Sequence, residues 1–417
     1  MAVEQLTLNN GLRAALFRMP YLRSVSIGVW VKAGSILESP AENGLSHFME
    51  HMAFKGTEKR TARQIAQEMD AMGGQLNAAT SKVCTYYYAR AIDEDLPLAA
   101  DILSDIVIHP SLDADEMNRE RSVILEEISM VADSPEDVVY DAVSQAMFGT
   151  QSLGQTILGP AEQIKKYTPD DIRAYRQKHY GPKNAVIALA GNVDAEQARQ
   201  LLEEKFGAWE GSAGEDFPVE TPNQPPQVVS VDKDTEQVHI CLDYVGKELG
   251  CDSLYSIAIL NSILGGGMSS RLFQRIREEL GMAYSVYTTP SFYPHCGDFC
   301  IYAATNPKHV SKVLDEIDSE IDKLLKNGVT EQEFAQAKAQ LRRGSILSLE
   351  SASTRMNAMG GNLLLLGKTI ELEETLARVE AVSREDVMDI AGQILRTPRS
   401  VAFVGRNAGK YEKLVKG

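Results

Sequence analysis

The segment TPDDIRAYRQKHY, Thr168 to Tyr180, followed by AVIALAG ending at Gly191, decides how the chain is read. Thr168 stands three residues before an acid, Asp171, which is the capping-box signature of a helix N-terminus. The apolar run behind it is short and closes on glycine, as a buried strand does. The pattern returns in the second half. SREDVMDIAGQIL, Ser383 to Leu395, starts with the same spacing of Ser383 and Asp386, and SVAFVG then ends at Gly405. Helix and glycine keep nearly the same separation in both places.

Working outward, SVSIGVWV (Ser24 to Val31) alternates as a strand, and QVHICLDYV (Gln237 to Val245) is its counterpart. Apolar helical stretches follow both. Between the halves lies GSAGEDFPVETPNQPPQ, Gly211 to Gln227, whose Pro, Gly and polar content reads as an extended linker. Several matches in one order imply a duplication. The expected fold is α+β, with two duplicated domains, each a mainly antiparallel sheet with helices packed on one face. The expected division is 1–210 and 229–417, joined by a linker at 211–228.

A chain of 417 residues is long enough for two or more domains, and 44% hydrophobic with 24% charged residues describes a globular protein. The net charge of −16 argues against non-specific attraction to nucleic acid or anionic membrane. No stretch reaches the roughly 20 apolar residues of a membrane span, and the first residues lack the apolar centre of a signal peptide. The five cysteines, Cys84, Cys241, Cys251, Cys296 and Cys300, form a sparse odd set that suggests reduced thiols. A cytoplasmic location is therefore expected. His295-Cys296 with Cys300 lacks the second ligand pair that a metal site needs.

SHFMEHMAFKGT, Ser46 to Thr57, holds two of the seven histidines. His47 and His51 are four apart, so on a helix their side chains lie one turn apart on one face. Two imidazoles can bind one ion while Glu50 stays free to act on a bound water, and zinc suits such ligands. A third ligand must come from elsewhere. The acidic segment DEMNRERSVILEEISMV, Asp115 to Val131, has helical periodicity, with Glu116, Glu120 and Glu127 along one stripe and Glu126 about a quarter-turn away. Glu127 and Glu120 suit a third ligand and a supporting carboxylate on nearby turns.

Two further segments carry weaker signals. GGQLNAATSKVCTYYYA, Gly73 to Ala89, alternates like a half-exposed strand. At the level of the histidine helix, the second half offers LNSILGGGMSSRLFQRIREELGMAYSVYT, with no histidine and a Gly265–Gly267 turn.

HFMEHMAFKGT together with ERSVILEE resembles the M16 metallopeptidases, the pitrilysin, insulin-degrading and mitochondrial processing peptidase group. Their hallmark is the inverted zinc motif HxxEH with a distant glutamate. The resemblance extends over essentially the whole chain, whose size is similar to the short bacterial members. It implies one Zn2+ per chain held by His47, His51 and Glu127, with Glu50 as general base and Glu120 as a supporting acid. It places Glu127 seven residues beyond the first Glu of the motif and so disfavours Glu126. It implies that Asn77 and Ala78 lie on the edge strand that receives substrate by β-augmentation. It also implies an Arg/Tyr pair reaching the substrate backbone, Arg277 and Tyr284, with Arg271 and Arg275 as nearby alternatives.

The activity implied is a zinc-dependent endopeptidase cleaving unfolded peptides or presequence-like segments in an enclosed chamber, formed by a homodimer. The same resemblance includes non-catalytic structural subunits and catalytic subunits that need a different partner chain. Those scaffolds usually lose part of the zinc motif, whereas His47, Glu50, His51 and Glu127 are all present here.

Overall fold

The computed structural model describes residues 2–222 and 225–415. Two mixed sheets, each packed with helices, make an α+β fold of two compact units. The first sheet contains β1 (Glu4–Thr7), β2 (Arg13–Arg18), β3 (Ser24–Val31), β4 (Gln75–Thr80), β5 (Thr85–Ile92) and β6 (Ala185–Gly191), in the order β1-β2-β6-β3-β5-β4. The second contains β7 (Val228–Asp232), β8 (Val238–Val245), β9 (Ala283–Phe292), β10 (Gly297–Thr305) and β11 (Arg399–Gly405), in the order β7-β11-β8-β10-β9. Aligned from the other edge, β4, β5, β3, β6 and β2 correspond to β9, β10, β8, β11 and β7. In each sheet one pair is parallel, β2 with β6 and β7 with β11, and the other pairs are antiparallel. The duplication inferred from the sequence is thus a duplication of topology.

The paired helix starts behave alike. Thr168 and Asp171 form a reciprocal capping box before the helix Pro169–His179, and Ser383 and Asp386 form another before Arg384–Leu395. Each helix leads into an interior strand of its sheet, β6 or β11, and both strands are almost wholly buried. Gly191 ends β6 at φ 141°, where a Cβ would meet Ser24 O at 2.4 Å. Only glycine fits that approach.

On one face of the first sheet the core gathers Val25, Ile27 and Val29 of β3 and Tyr87 and Ala89 of β5. Against them pack α1 (Leu45–Ala53), α2 (Ala62–Ala71), α3 (Leu96–Ile108), α4 (Ala114–Asp133) and the helices Pro169–His179 and Ala195–Phe206. The opposite face is covered by a helix from far along the chain, Ala352–Leu366, whose Met356, Met359 and Leu363 bury Phe17, Trp30 and Ala188. In the second unit the reciprocal role falls to α5 (Pro135–Phe148). Its Val139 and Val143 cover Cys241, Tyr302 and Ala402 on the face away from the main helical layer.

The units therefore cross the division at 211–228. The first takes up residues 346–372 and the second takes up 129–155, because each sheet has a second apolar face that needs a cover. The linker divides between them at Pro218 and Val219. Its first part lies on the first unit, with Asp216 Oδ1 3.8 Å from Lys32 Nζ. Its second part is held in the second unit by buried Glu220, whose carboxylate accepts from Ser152 N and Leu153 N at 2.8 Å each. Linker residues 223 and 224 lie outside the described residues. Among the described residues no helix is long and apolar enough to cross a membrane.

Candidate metal centre

α1 carries its chemistry because its two faces differ. Leu45, Phe48, Met49 and Met52 fall at helical spacing and are buried in the core, which leaves His47, Glu50 and His51 on the other side. The helix starts at Gly44, φ 98°, where a Cβ would meet Leu158 O at 2.7 Å, so position 44 has no side chain with which to cap it. Glu38 supplies the cap instead. Its Oε2 accepts from Gly44 N at 2.8 Å and from Asn43 Nδ2 at 3.1 Å, and its Oε1 accepts from Ser46 N at 2.6 Å. Burial raises the Glu38 pKa, while the donors from Ser46, Gly44 and Asn43 act in the opposite sense.

α4 presents its carboxylates through a similar split. Met117, Glu120 and Ile124 face inward, Glu127 is half-buried and Glu126 is exposed. Asp113 Oδ1 caps the start by accepting from Asp115 N at 2.9 Å and Glu116 N at 3.0 Å. Arg121 fastens the helix by donating to Ile164 O and, at 2.7 Å, to Tyr167 O. Its guanidinium also lies 5.6 Å from the Phe48 ring of α1, so the two helices are held side by side.

Between them three donors converge. His47 Nε2 and His51 Nε2 each lie 3.5 Å from Glu127 Oε2. Among the described residues these are the three that could together hold a metal ion, with ligand atoms all within 4.8 Å of one another. Two ligands bound at about 2.0–2.1 Å to a tetrahedral ion lie roughly 3.4 Å apart, so this donor set fits zinc. Glu127, and not Glu126, is the carboxylate that lies beside both histidines.

The surrounding groups orient the donors. Glu120 Oε2 lies 3.0 Å from His51 Nδ1, which turns Nε2 toward Glu127, and Lys55 Nζ lies 2.7 Å from Glu120 Oε1. His47 has no such support. Its Nδ1 is buried and makes no hydrogen bond among the described residues, and its ring meets His51 edge-on at 4.6 Å between centroids. Burial, with the neighbouring His51 adding to it, lowers the His47 pKa to about 3, so the ring is neutral and its nitrogens are free to act as ligands. Glu50 does not join the three donors. Its Oε2 accepts from Thr80 Oγ1 at 2.5 Å, and burial raises its pKa against the opposing effect of that hydrogen bond.

Thr80 belongs to β4, the outermost strand of its sheet, beside β5. Leu76 and Ala78 of β4 turn to the core, while Asn77 is exposed. Asn77 Oδ1 accepts from Ala78 N at 2.9 Å. The edge strand expected to receive substrate thus carries at its end the residue that holds Glu50.

Arg277 and Tyr284 lie together in the second unit. The guanidinium of Arg277 is 5.0 Å from the Tyr284 ring and 4.8 Å from the Phe273 ring. Arg277 stands on a π-helical stretch, Phe273–Glu279, and Tyr284 is 72% exposed at the start of edge strand β9. A groove of roughly 390 Å³ beside them is lined by Gly265–Gly267, Met268, Phe273 and Arg277. The alternatives are otherwise engaged: Arg271 pairs with Glu333 at 2.7 Å, and Arg275 pairs with Glu316 at 2.8 Å. Arg277 is the arginine that pairs with Tyr284.

Lys55, Thr80, Arg121 and Glu38 were not singled out by the sequence pattern. Lys55 lies four residues after His51 but beyond the end of α1 at Ala53, so helical spacing does not place it. The others come from separate segments with no periodic link to the histidines.

Residues 13–161 match the family described as Insulinase (Peptidase family M16), and residues 166–341 match the Peptidase M16 inactive domain. The uncharacterized zinc protease YmxG of Bacillus subtilis is 40% identical over 96% of this chain and 98% of its own length. The chain belongs to the M16 peptidase family. An uncharacterized zinc protease of Streptomyces coelicolor is 38% identical to this M16 chain, over 97% of it and 89% of the relative. The fold is also that of a protease from Helicobacter pylori, with a TM-score of 0.91 at 22% identity over 97% of this M16 chain and 99% of the other.

Proposed function

We propose that this M16 chain is a zinc-dependent endopeptidase acting on unfolded peptide segments. One observation carries the reading: His47, His51 and Glu127 converge at the spacing of a tetrahedral ion, with Glu50 on the same helix but outside the ligand group. A zinc ion bound there supplies a polarised water of lowered pKa.

The protein groups do the rest. Glu50, held by Thr80, takes a proton from the attacking water and hands it to the leaving amine. Glu120 holds the tautomer of His51 that leaves Nε2 free for the ion. An extended peptide adds to the edge of β4 through main-chain hydrogen bonds around Asn77 and Ala78, which make little demand on sequence. Arg277 and Tyr284 offer a guanidinium and a phenol to the substrate backbone. The active form in this reading is a homodimer enclosing its substrate, in the cytoplasm, where the free thiols stay reduced.

The decisive experiment is cleavage of an unstructured peptide library, with metal content and molecular size measured on the same sample. Chelator abolishes cleavage and added zinc restores it, while Glu50→Gln keeps zinc and loses turnover. Metal-independent cleavage, or a Glu50→Gln variant with wild-type turnover, overturns the reading. Zinc binding without cleavage by the homodimer points to a subunit that needs a different partner.

A further inference from the structure

His47 and His51 are supported in different ways. His51 is oriented through its side chain by Glu120, whereas His47 has a buried Nδ1 with no hydrogen-bond partner among the described residues. The orientation of His47 must therefore come from its backbone and from packing. That backbone is fixed one residue earlier, where Ser46 N donates to Glu38 Oε1 at 2.6 Å, and again at Gly44 N, which donates to Glu38 Oε2 at 2.8 Å.

A carboxylate with one oxygen on each of two first-turn N–H groups sets the rotation of that turn about the helix axis, as a single-atom cap does not. Ser46 adds a second tie through its hydroxyl, 2.6 Å from Tyr175 OH. Glu38 is 1% exposed, and burying a carboxylate is unfavourable unless its acceptors are filled. The helix N-terminus offsets part of that cost, because its free N–H groups and dipole favour an anion. A serine at position 44 could cap the helix without a buried charge, but φ 98° and the 2.7 Å approach of Leu158 O keep that position glycine.

We propose that Glu38 is a positioning residue for zinc: its clamp on Gly44 and Ser46 sets the first turn of α1, and thereby holds His47 on the ion. The inference rests on the zinc reading of the site. It concerns a residue that has no contact with the three ligand side chains in the hydrogen bonds it makes to Asn43, Gly44 and Ser46.

The test is zinc affinity of the apo full-length chain, read by competition with a chromophoric chelator, alongside thermal unfolding of the apo protein. Glu38→Gln keeps the shape but replaces one acceptor oxygen with an amide that faces an N–H. Its zinc affinity is expected to fall on the order of 10–100-fold, the range found for groups that orient metal ligands. With saturating zinc, kcat falls and KM stays within about twofold. Gly360→Ala serves as the control, since it strains the far face of the same unit and should lower the melting temperature without loss of zinc affinity.

A folded Glu38→Gln variant with wild-type zinc affinity overturns the inference. Equal losses of affinity in Gly360→Ala overturn it too, because general destabilisation then explains both. Should Glu38→Gln not fold, Glu38→Asp is measured: the charge remains but the reach is shorter, and wild-type affinity in that variant again overturns the clamp. A wild-type chain that binds no zinc fails at the earlier step, the reading of the site itself.

Discussion

Lys55 Nζ stands 2.7 Å from Glu120 Oε1, and that buried carboxylate turns its other oxygen to His51 Nδ1 at 3.0 Å. Lysine, carboxylate and imidazole thus form a line ending at the ring whose Nε2 faces Glu127. Lys55→Met keeps the packing of the stem and removes the ammonium, which leaves Glu120 short of a partner. Zinc affinity should fall on the order of 10–100-fold, measured by chelator competition, while the far-UV spectrum is unchanged.

Thr80 holds the proposed base. Thr80→Val keeps the shape of β4 but removes the donor to Glu50 Oε2. The carboxylate is then free to rotate away from the attacking water. We expect kcat to fall roughly tenfold, a part of the 10²–10⁴ that a positioned base contributes, with zinc content unchanged in the same preparation.

Glu127 and Glu126 are adjacent in sequence but differ in reach. Glu127 Oε2 meets both histidines, whereas Glu126 is exposed on another side of α4. Glu127→Gln should weaken zinc binding by far more than Glu126→Gln, which should stay within about twofold of wild type. Metal titration of the two apo variants checks the order, and the reverse result would move the third ligand by one position.

Gly360 lies in the helix Ala352–Leu366 with Trp30 directly beneath it, and a Cβ there would stand 2.3 Å from the indole. Alanine favours helix over glycine by about 1 kcal/mol, but the clash is with a buried ring that has little room to shift. Gly360→Ala should therefore be destabilising by about 1–3 kcal/mol, read as a lower melting temperature.

Asp243 on β8 is 2% exposed, and its Oδ1 makes no hydrogen bond among the described residues. Burial first, and then the neighbouring Asp298, raises its pKa well above the ordinary range. The contribution of its carboxyl to stability is complete below the unfolded value of about 3.9 and declines as pH rises toward the folded one. Asp243→Asn removes that dependence. The melting-temperature advantage of Asp243→Asn over wild type should therefore grow between about pH 4 and pH 7; an advantage independent of pH would contradict a neutral buried Asp243.

What could be read from the sequence followed periodicity. The four-residue step from His47 to His51 and the seven-residue step from Glu120 to Glu127 each lie within one helix, where 3.6 residues per turn fix the face. The capping boxes at Thr168 and Ser383 are local too, and they marked the repeated plan. Glu38 and Thr80 were not legible, because each reaches α1 across a turn or from another strand. The exchange of α5 and the helix Ala352–Leu366 was equally hidden: an apolar helix does not state which sheet it will cover. Arg277 was separable from Arg271 and Arg275 only once the glutamates that occupy the latter two were seen.

The lid over Trp30 has a consequence for synthesis. The last strand of the first sheet leaves the ribosome at Gly191, but the helix that seals its second face arrives only with Leu366. At ordinary elongation rates of about 5–20 residues per second, that interval lasts roughly 9–35 s. Throughout it the nascent chain carries Phe17, Trp30 and Met19 on an uncovered apolar face. A chaperone that engages emerging chains has its natural window there, and a gene cut at the linker would leave that face bare for good.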